Sequence, residues 1–332
     1  MKNKKHKSRK KKYARVPSSL KSQAISFEDK AEGRRVSGKL PDRLEMERLN
    51  RAVGKILEKQ DFKDDRDLDR FMEEKITGKK IDEIYQMIEL DSSDEAQELA
   101  YEAMAEEDRN KALELANKAL ELDPDCIDAR LVEAKCSSRS LPELVEKLER
   151  IISRAEENFG EQYIEENKGH FWKLVETRPY MRALDSLLIF LRLAGRTKEA
   201  ILQAEKMLEL NPDDNQGIRD SLLGMYLETG NLEGARKLLE RYPTEYLAVF
   251  LWGRVLERYL SGEIKEAAAV FKKAYSKNSH VFDYLTGRKQ FESELLDSSY
   301  MVGKESEAIH CFMEIGPAWK KNPEAIDWLK SL

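Results

Sequence analysis

The chain has 332 residues, 36% of them charged and 41% hydrophobic, with only 16 Gly and 9 Pro, so helix formers dominate it. No apolar run approaches the roughly 20 residues that a helical bilayer crossing needs, and the basic N-terminus is not followed by the hydrophobic stretch of a secretory signal. The expectation is an all-α, cytoplasmic protein that does not engage a membrane. Cys126, Cys136 and Cys311 lie far apart, and with His6, His170, His280 and His310 they show no metal-ligand spacing, which argues against a disulfide framework or a zinc site.

The formal net charge of −5 conceals an asymmetry. Residues 1–51 carry 17 Lys/Arg against 6 Asp/Glu, a balance of +11, which leaves −16 for the remainder. The first stretch, "MKNKKHKSRKKKYARV", has no apolar periodicity and repels itself, so residues 1–41 read as a disordered basic arm and linker. One reading of the arm is a non-specific RNA or ribosome contact through Lys4, Lys5, Lys7, Arg9, Lys10, Lys11 and Lys12. The other is a solubilising tail, since Tyr13 alone could stack on a base.

Residues 42–92 read as a small helical unit. Leu49, Val53, Ile56 and Leu57 share one stripe, and a second helical pattern surrounds Gly78. Residues 93–280 then carry a repeat. "YMRALDSLLIFLRLAGRTKEAILQAEKMLELNPDD" is followed by "NQGIRDSLLGMYLETGNLEGARKLLERYP" and "LAVFLWGRVLERYLSGEIKEAAAVFKKAYSKNS". An earlier copy ends in "NKALELDPDC", and residues 127–158 form a blurred one.

Gly195 and Gly230 are 35 residues apart, as are Ala200 and Ala235, and Gly262 follows Gly230 by 32. A period near 34 with small residues at fixed positions marks tetratricopeptide repeats, in which stacked helical hairpins build a solenoid. Alanines let paired helices approach, glycine permits the turn between them, and Pro124 and Pro212 stop the second helix. Residues 281–332 read as a helical cap, with Phe291, Tyr300, Ala308, Phe312, Trp319, Ile326 and Trp328 on its inward side.

Residues 159–180 are an insertion containing "GHFWKLVETRPYMRA". Three readings of it stand: a structural joint, the wall of a binding site, or an acid–base cluster of His170, Glu176 and Tyr180. Thr177 is placed as an N-cap before Arg178 and Pro179. On these segments, together with "NSHVFDYLTGRKQ" and "ESEAIHCFMEIGPAWKKNPEAIDWL", residues from about 96 to 330 resemble the suppression-of-tumorigenicity family of tetratricopeptide proteins and its bacterial relatives. The resemblance implies that Trp172, Glu176, Arg178, Pro179, Tyr180, Asn215 and Arg219 match a family pattern, and it brings no enzymatic activity with it. The chain departs from the animal members in lacking membrane-spanning segments and in carrying the basic arm.

In such a stack the first helix of each pair lines the concave side. That face contains Arg182, Asp185, Ile189, Arg192, Asp220, Gly224, Leu227, Trp252, Leu256 and Tyr259, a mixture of charge and aromatic surface suited to an extended peptide or a helix. Arg178 and Tyr180 of the insertion, with Asn215 and Arg219 of the family pattern, join it as partner-binding candidates. The expected function is therefore a non-catalytic protein–protein interaction adaptor, with an RNA- or ribosome-associated factor as the alternative. No catalytic residue, metal ligand or cofactor is assigned.

Overall fold

The computed structural model describes residues 43–290 and 300–332, which form α-helices joined by turns, with no strand among them. The basic arm and Phe291 lie outside the described residues.

The first three helices are α1 (Arg43–Glu58), α2 (Asp65–Lys75) and α3 (Ile81–Tyr85). Asp64 starts α2 by accepting the Asp67 N–H at 2.9 Å. Ala52, Val53 and Ile56 of α1 close over Ile76 and Ile84, with Leu49, Phe71 and Met72 at the edge. This apolar cluster contains no residue beyond position 88.

Next come α4 (Ser92–Ala105), α5 (Arg109–Leu122), α6 (Ile127–Ser137) and α7 (Leu141–Phe159). After the insertion follow α9 (Arg178–Leu193), α10 (Thr197–Leu210), α11 (Ile218–Glu228), α12 (Leu232–Arg241), α13 (Ala248–Leu260) and α14 (Ile264–Lys277). Each of these packs on its sequence neighbour across a short connection, except where the insertion intervenes. Ala100, Ala116, Ala119, Ala200, Ala204, Ala235, Ala267 and Ala274 are completely buried, at the places where a bulkier side chain would push two helices apart. Gly195, Gly230 and Gly262 occupy the three-residue turns with φ of 71°, 72° and 79°, a conformation costly for any other residue. Polar caps supply the helix starts: Asp108, Ser140 and Asn231 accept N–H groups in the first turns of α5, α7 and α12.

The alternate helices also touch one another. α4 packs on α6, α6 on α9, and α11 on α13, while Arg192 at the end of α9 reaches Ser221 on α11 at 2.9 Å. One apolar core runs without interruption from Leu131 to Leu329.

The insertion contributes a short helix α8 (Glu161–Asn167), a turn through Gly169 at φ 87°, and a 3-10 turn at Val175–Thr177. Phe171 and Tyr180 are fully buried, and the rings of Phe159 and Tyr163 stand within 5.4–6.4 Å of them or of each other. The Phe171 N–H donates to the Leu210 carbonyl at 3.1 Å, tying the insertion to the end of α10. Thr177 sits at the expected junction but does not cap α9. Its hydroxyl donates to the carbonyls of Phe171 and Leu174, so it closes the turn behind it.

The chain ends with α15 (His280–Leu285), α16 (Glu305–Lys320) and α17 (Pro323–Ser331). α16 turns back, packs on α15 and lies across α11 and α13. Ala308, Cys311, Ile315, Ala318 and Trp319 bury that face completely.

Candidate functional site

The residues expected to meet a partner lie on α9, α11 and α13, with Asn215 in the turn before α11, and two other helices of the same chain contact Arg178, Arg182, Arg192 and Asp220. At the N-terminal end the cover is α1. Arg182 projects from α9 between two carboxylates. Its Nε donates to Asp128 Oδ1 at 2.9 Å and its Nη2 to Oδ2 at 2.5 Å; Nη1 and Nη2 each donate to Glu47 at 2.9 Å. A planar guanidinium fork can serve two carboxylates in this way, which an ammonium group cannot.

Asp128 on α6 is 0% exposed and Glu47 on α1 is 4% exposed. Gln97 donates to Asp128 at 2.7 Å, and the Tyr101 hydroxyl donates to Glu47 at 2.9 Å. Burial disfavours the charge on Arg182, but Asp128 and Glu47 together outweigh it and raise the pKa. Tyr101 is held as a neutral donor: burial raises its pKa, and the charges of Glu47 and Asp128 push in the same direction.

Further along α1 the pattern reverses in sign. Arg48 meets Glu98 at 2.5 Å, and Arg51 and Lys55 meet Asp94, which is buried at the start of α4. Tyr85 of α3 also donates to Glu98, at 2.8 Å.

At the C-terminal end the cover is α16. Arg192 and Ser221 both donate to Glu314 at 2.9 Å, and His310 Nε2 lies 3.1 Å from Asp220 Oδ2. The Tyr300 ring stacks on His310 with centroids 4.8 Å apart. Glu307 accepts the Ala248 N–H at the start of α13 and a hydrogen bond from Asn278, so a carboxylate sits at that helix N-terminus. Tyr259 is half-buried beneath Trp328 of α17, with ring centroids 4.9 Å apart.

Trp252, expected as an exposed anchor, is fully buried and packs edge-on to Phe271 at 5.8 Å. Tyr180 is likewise a core residue, its hydroxyl donating to Glu156 at 2.7 Å. Arg178 lies over the Trp172 ring and donates to that residue's carbonyl, with Glu47 at 3.7 Å. Arg219 pairs with Glu245 at 2.7 Å and covers Tyr242, while Asn215 is exposed. The turn before α11 is organised by Asp214, at φ 52°, which accepts the N–H groups of Ile218 and Arg219. What remains open between the two covering helices is Asp185, half-buried, and Ile189, exposed, on the middle of α9. Lys135 on α6 is the charge felt by Asp185: burial raises the Asp185 carboxyl above its usual pKa and Lys135 lowers it.

Glu47, Asp128, Glu314 and His310 were not singled out from the sequence. Each belongs to a helix face rich in charge, which reads as solvated surface until the opposing helix is known. Cys126 and Cys311 are buried free thiols, and Cys136 is half-buried.

The His310–Asp220 contact gives the α16 seat a pH dependence. Burial lowers the His310 pKa, but the hydrogen bond and charge of Asp220, with Glu314 and Glu307 beyond, raise it above 6.5 on balance. Burial also raises the Asp220 carboxyl. A raised value means that the folded state holds its proton more tightly than the unfolded one. The stabilisation is therefore complete below pH 6.5 and is lost as pH climbs through the folded-state value. His310→Gln is expected to cost on the order of 1 kcal/mol in urea unfolding at pH 6 and less at pH 9; a pH-independent difference would contradict this account.

No helix among the described residues is long and apolar enough to cross a membrane. No family model matches the chain, and no curated protein matches it.

Proposed function

We propose that the protein is a non-catalytic adaptor of tetratricopeptide-like helical repeats, whose row of first helices accepts helical segments. The observation that carries this reading is the seating of α1 against α4 and α9 and of α16 across α11 and α13. In both cases a helix lies on the row and is held there by side chains of that row. α16 lays its apolar face on the row, the helix-in-groove mode of recognition, while α1 is held on it by charged and polar side chains. Spacing near 34 residues, buried alanines and left-handed turn glycines support the repeat assignment. The RNA- or ribosome-binding alternative rests on the composition of residues 1–41 alone.

The open middle of α9 supplies the test. Affinity capture from cell extract is to be compared between wild type and a chain carrying Asp185→Lys and Ile189→Arg, with Leu202→Arg as a control, since Leu202 is exposed on α10. A protein retained by wild type and by the control but lost from the double variant is the expected result. Identical captured sets from all three would defeat the adaptor reading.

A further inference from the structure

The two covering helices are attached in different ways. α16 belongs to the main apolar core: Ile315, Ala318 and Trp319 are completely buried in the cluster that runs from Leu131 to Leu329. α1 does not. Its buried apolar side chains, Ala52, Val53 and Ile56, pack with α2 and α3 in a cluster of their own. What joins α1 to the rest of the chain is close packing on the 3-10 turn at Val175–Thr177 and a line of ionic and hydrogen-bonded contacts: Glu47 to Arg182 and Tyr101, Arg48 to Glu98, and Arg51 and Lys55 to Asp94.

We infer that the surface of α4 and α9 is a helix-binding site with a defined charge code, and that α1 is its resident, exchangeable occupant. The partner it fits is an amphipathic helix of another protein carrying a carboxylate at one position and basic residues one, four and eight positions later. Those are the positions of Glu47, Arg48, Arg51 and Lys55. The carboxylate enters between Arg182, Arg178 and Tyr101. The basic residues meet Glu98 and Asp94.

The charges that join α1 to α4 and α9 are partly withdrawn from water. Removing charges from water consumes much of what their pairing returns, so such contacts contribute modest net affinity and strong discrimination of register. Apolar burial would hold α1 regardless of sequence. A line of alternating charges holds only a helix with the matching order, and an intermolecular helix of equal code can replace the intramolecular one. The short connection between α3 and α4 gives the resident a high effective concentration, so a competitor prevails when it is tighter or when the resident is weakened.

This inference rests on the adaptor reading, but its test does not use the capture experiment. A fluorescent peptide of residues 43–58 is titrated into three full-length chains: wild type, Glu47→Lys, and Arg48→Glu with Lys55→Glu. Both variants weaken the resident helix while leaving α4, α6 and α9 unaltered. The peptide is expected to bind each variant at least tenfold more tightly than wild type, and a peptide carrying Glu47→Lys is expected to bind none of them. Hydrogen exchange of the wild-type chain gives a second measurement free of substitutions: amides of 43–88 should open at a lower free energy than those of 93–285. Equal peptide affinity for folded wild-type and variant chains, or no binding to either variant, overturns the proposal. Exchange of 43–88 in a single step with the rest of the chain overturns it as well. If capture fails while the peptide binds, the adaptor reading falls and the helix site stands.

Discussion

Replacing Arg182 by Met is expected to destabilise the chain by about 3–5 kcal/mol, the loss usual when one partner of a buried ionic cluster is removed. The arginine lies between Asp128 and Glu47, which retain 0% and 4% exposure, so its removal leaves two carboxylates facing each other without a cation. Gln97 and Tyr101 still donate to them, but neutral donors do not offset the repulsion. The cause can be separated from simple loss of packing. Adding Asp128→Asn and Glu47→Gln to Arg182→Met removes the uncompensated charge and should recover more than half of the loss. Urea unfolding of the single and triple variants decides it; a loss below about 1 kcal/mol for the single variant would mean that the cluster is not desolvated.

The second large effect is expected at Gly224. A Cβ built there would overlap the Glu314 carbonyl oxygen and stand 3.0 Å from its carbonyl carbon. Both are backbone atoms of α16, so no side-chain rotation relieves the clash and the helix itself must move. The Glu314 contacts with Arg192 and Ser221 and the His310–Asp220 contact would go with it. Gly224→Ala is thus expected to cost about 3 kcal/mol, the upper end for one added methyl in a packed interior. A chemical readout accompanies the stability loss. The Cys311 thiol is 0% exposed beneath α16, with its pKa raised by burial, and should become reactive toward a thiol reagent in the variant. Gly253 offers the contrast: a Cβ there would meet side-chain atoms alone, the Leu223 Cδ2 at 2.7 Å and Cγ at 3.3 Å and the Leu227 Cδ1 at 3.5 Å, and no backbone. Unchanged stability and an unreactive Cys311 in Gly224→Ala would show that α16 tolerates displacement.

The helical architecture was legible because its determinants are local. Alanines at fixed spacing, Gly195, Gly230 and Gly262 between helices, and Pro124 and Pro212 after them each act within a few residues. The cover on α4, α9, α11 and α13 was not legible, because it depends on partners 135 residues apart for Glu47 and Arg182 and 93 apart for Ser221 and Glu314. A charged stripe such as Glu47, Arg48, Arg51 and Lys55 reads as solvent-facing until its complement is known. Trp252 was misplaced for a further reason: one step around a helix separates an exposed aromatic from one turned fully inward, and periodicity locates a face only approximately.

The seat beneath α16 has a consequence for synthesis. Ser221 leaves the ribosome 93 residues before Glu314 does. At typical elongation speeds of about 5–20 residues per second, the α11 surface is uncovered for roughly 5–20 s in every nascent chain. During that interval Leu222, Leu223 and Met225 are already helical neighbours, while Trp319, which completes the same apolar core, has yet to emerge. Any factor that meets the growing polypeptide in this window encounters an adhesive strip that the finished molecule conceals.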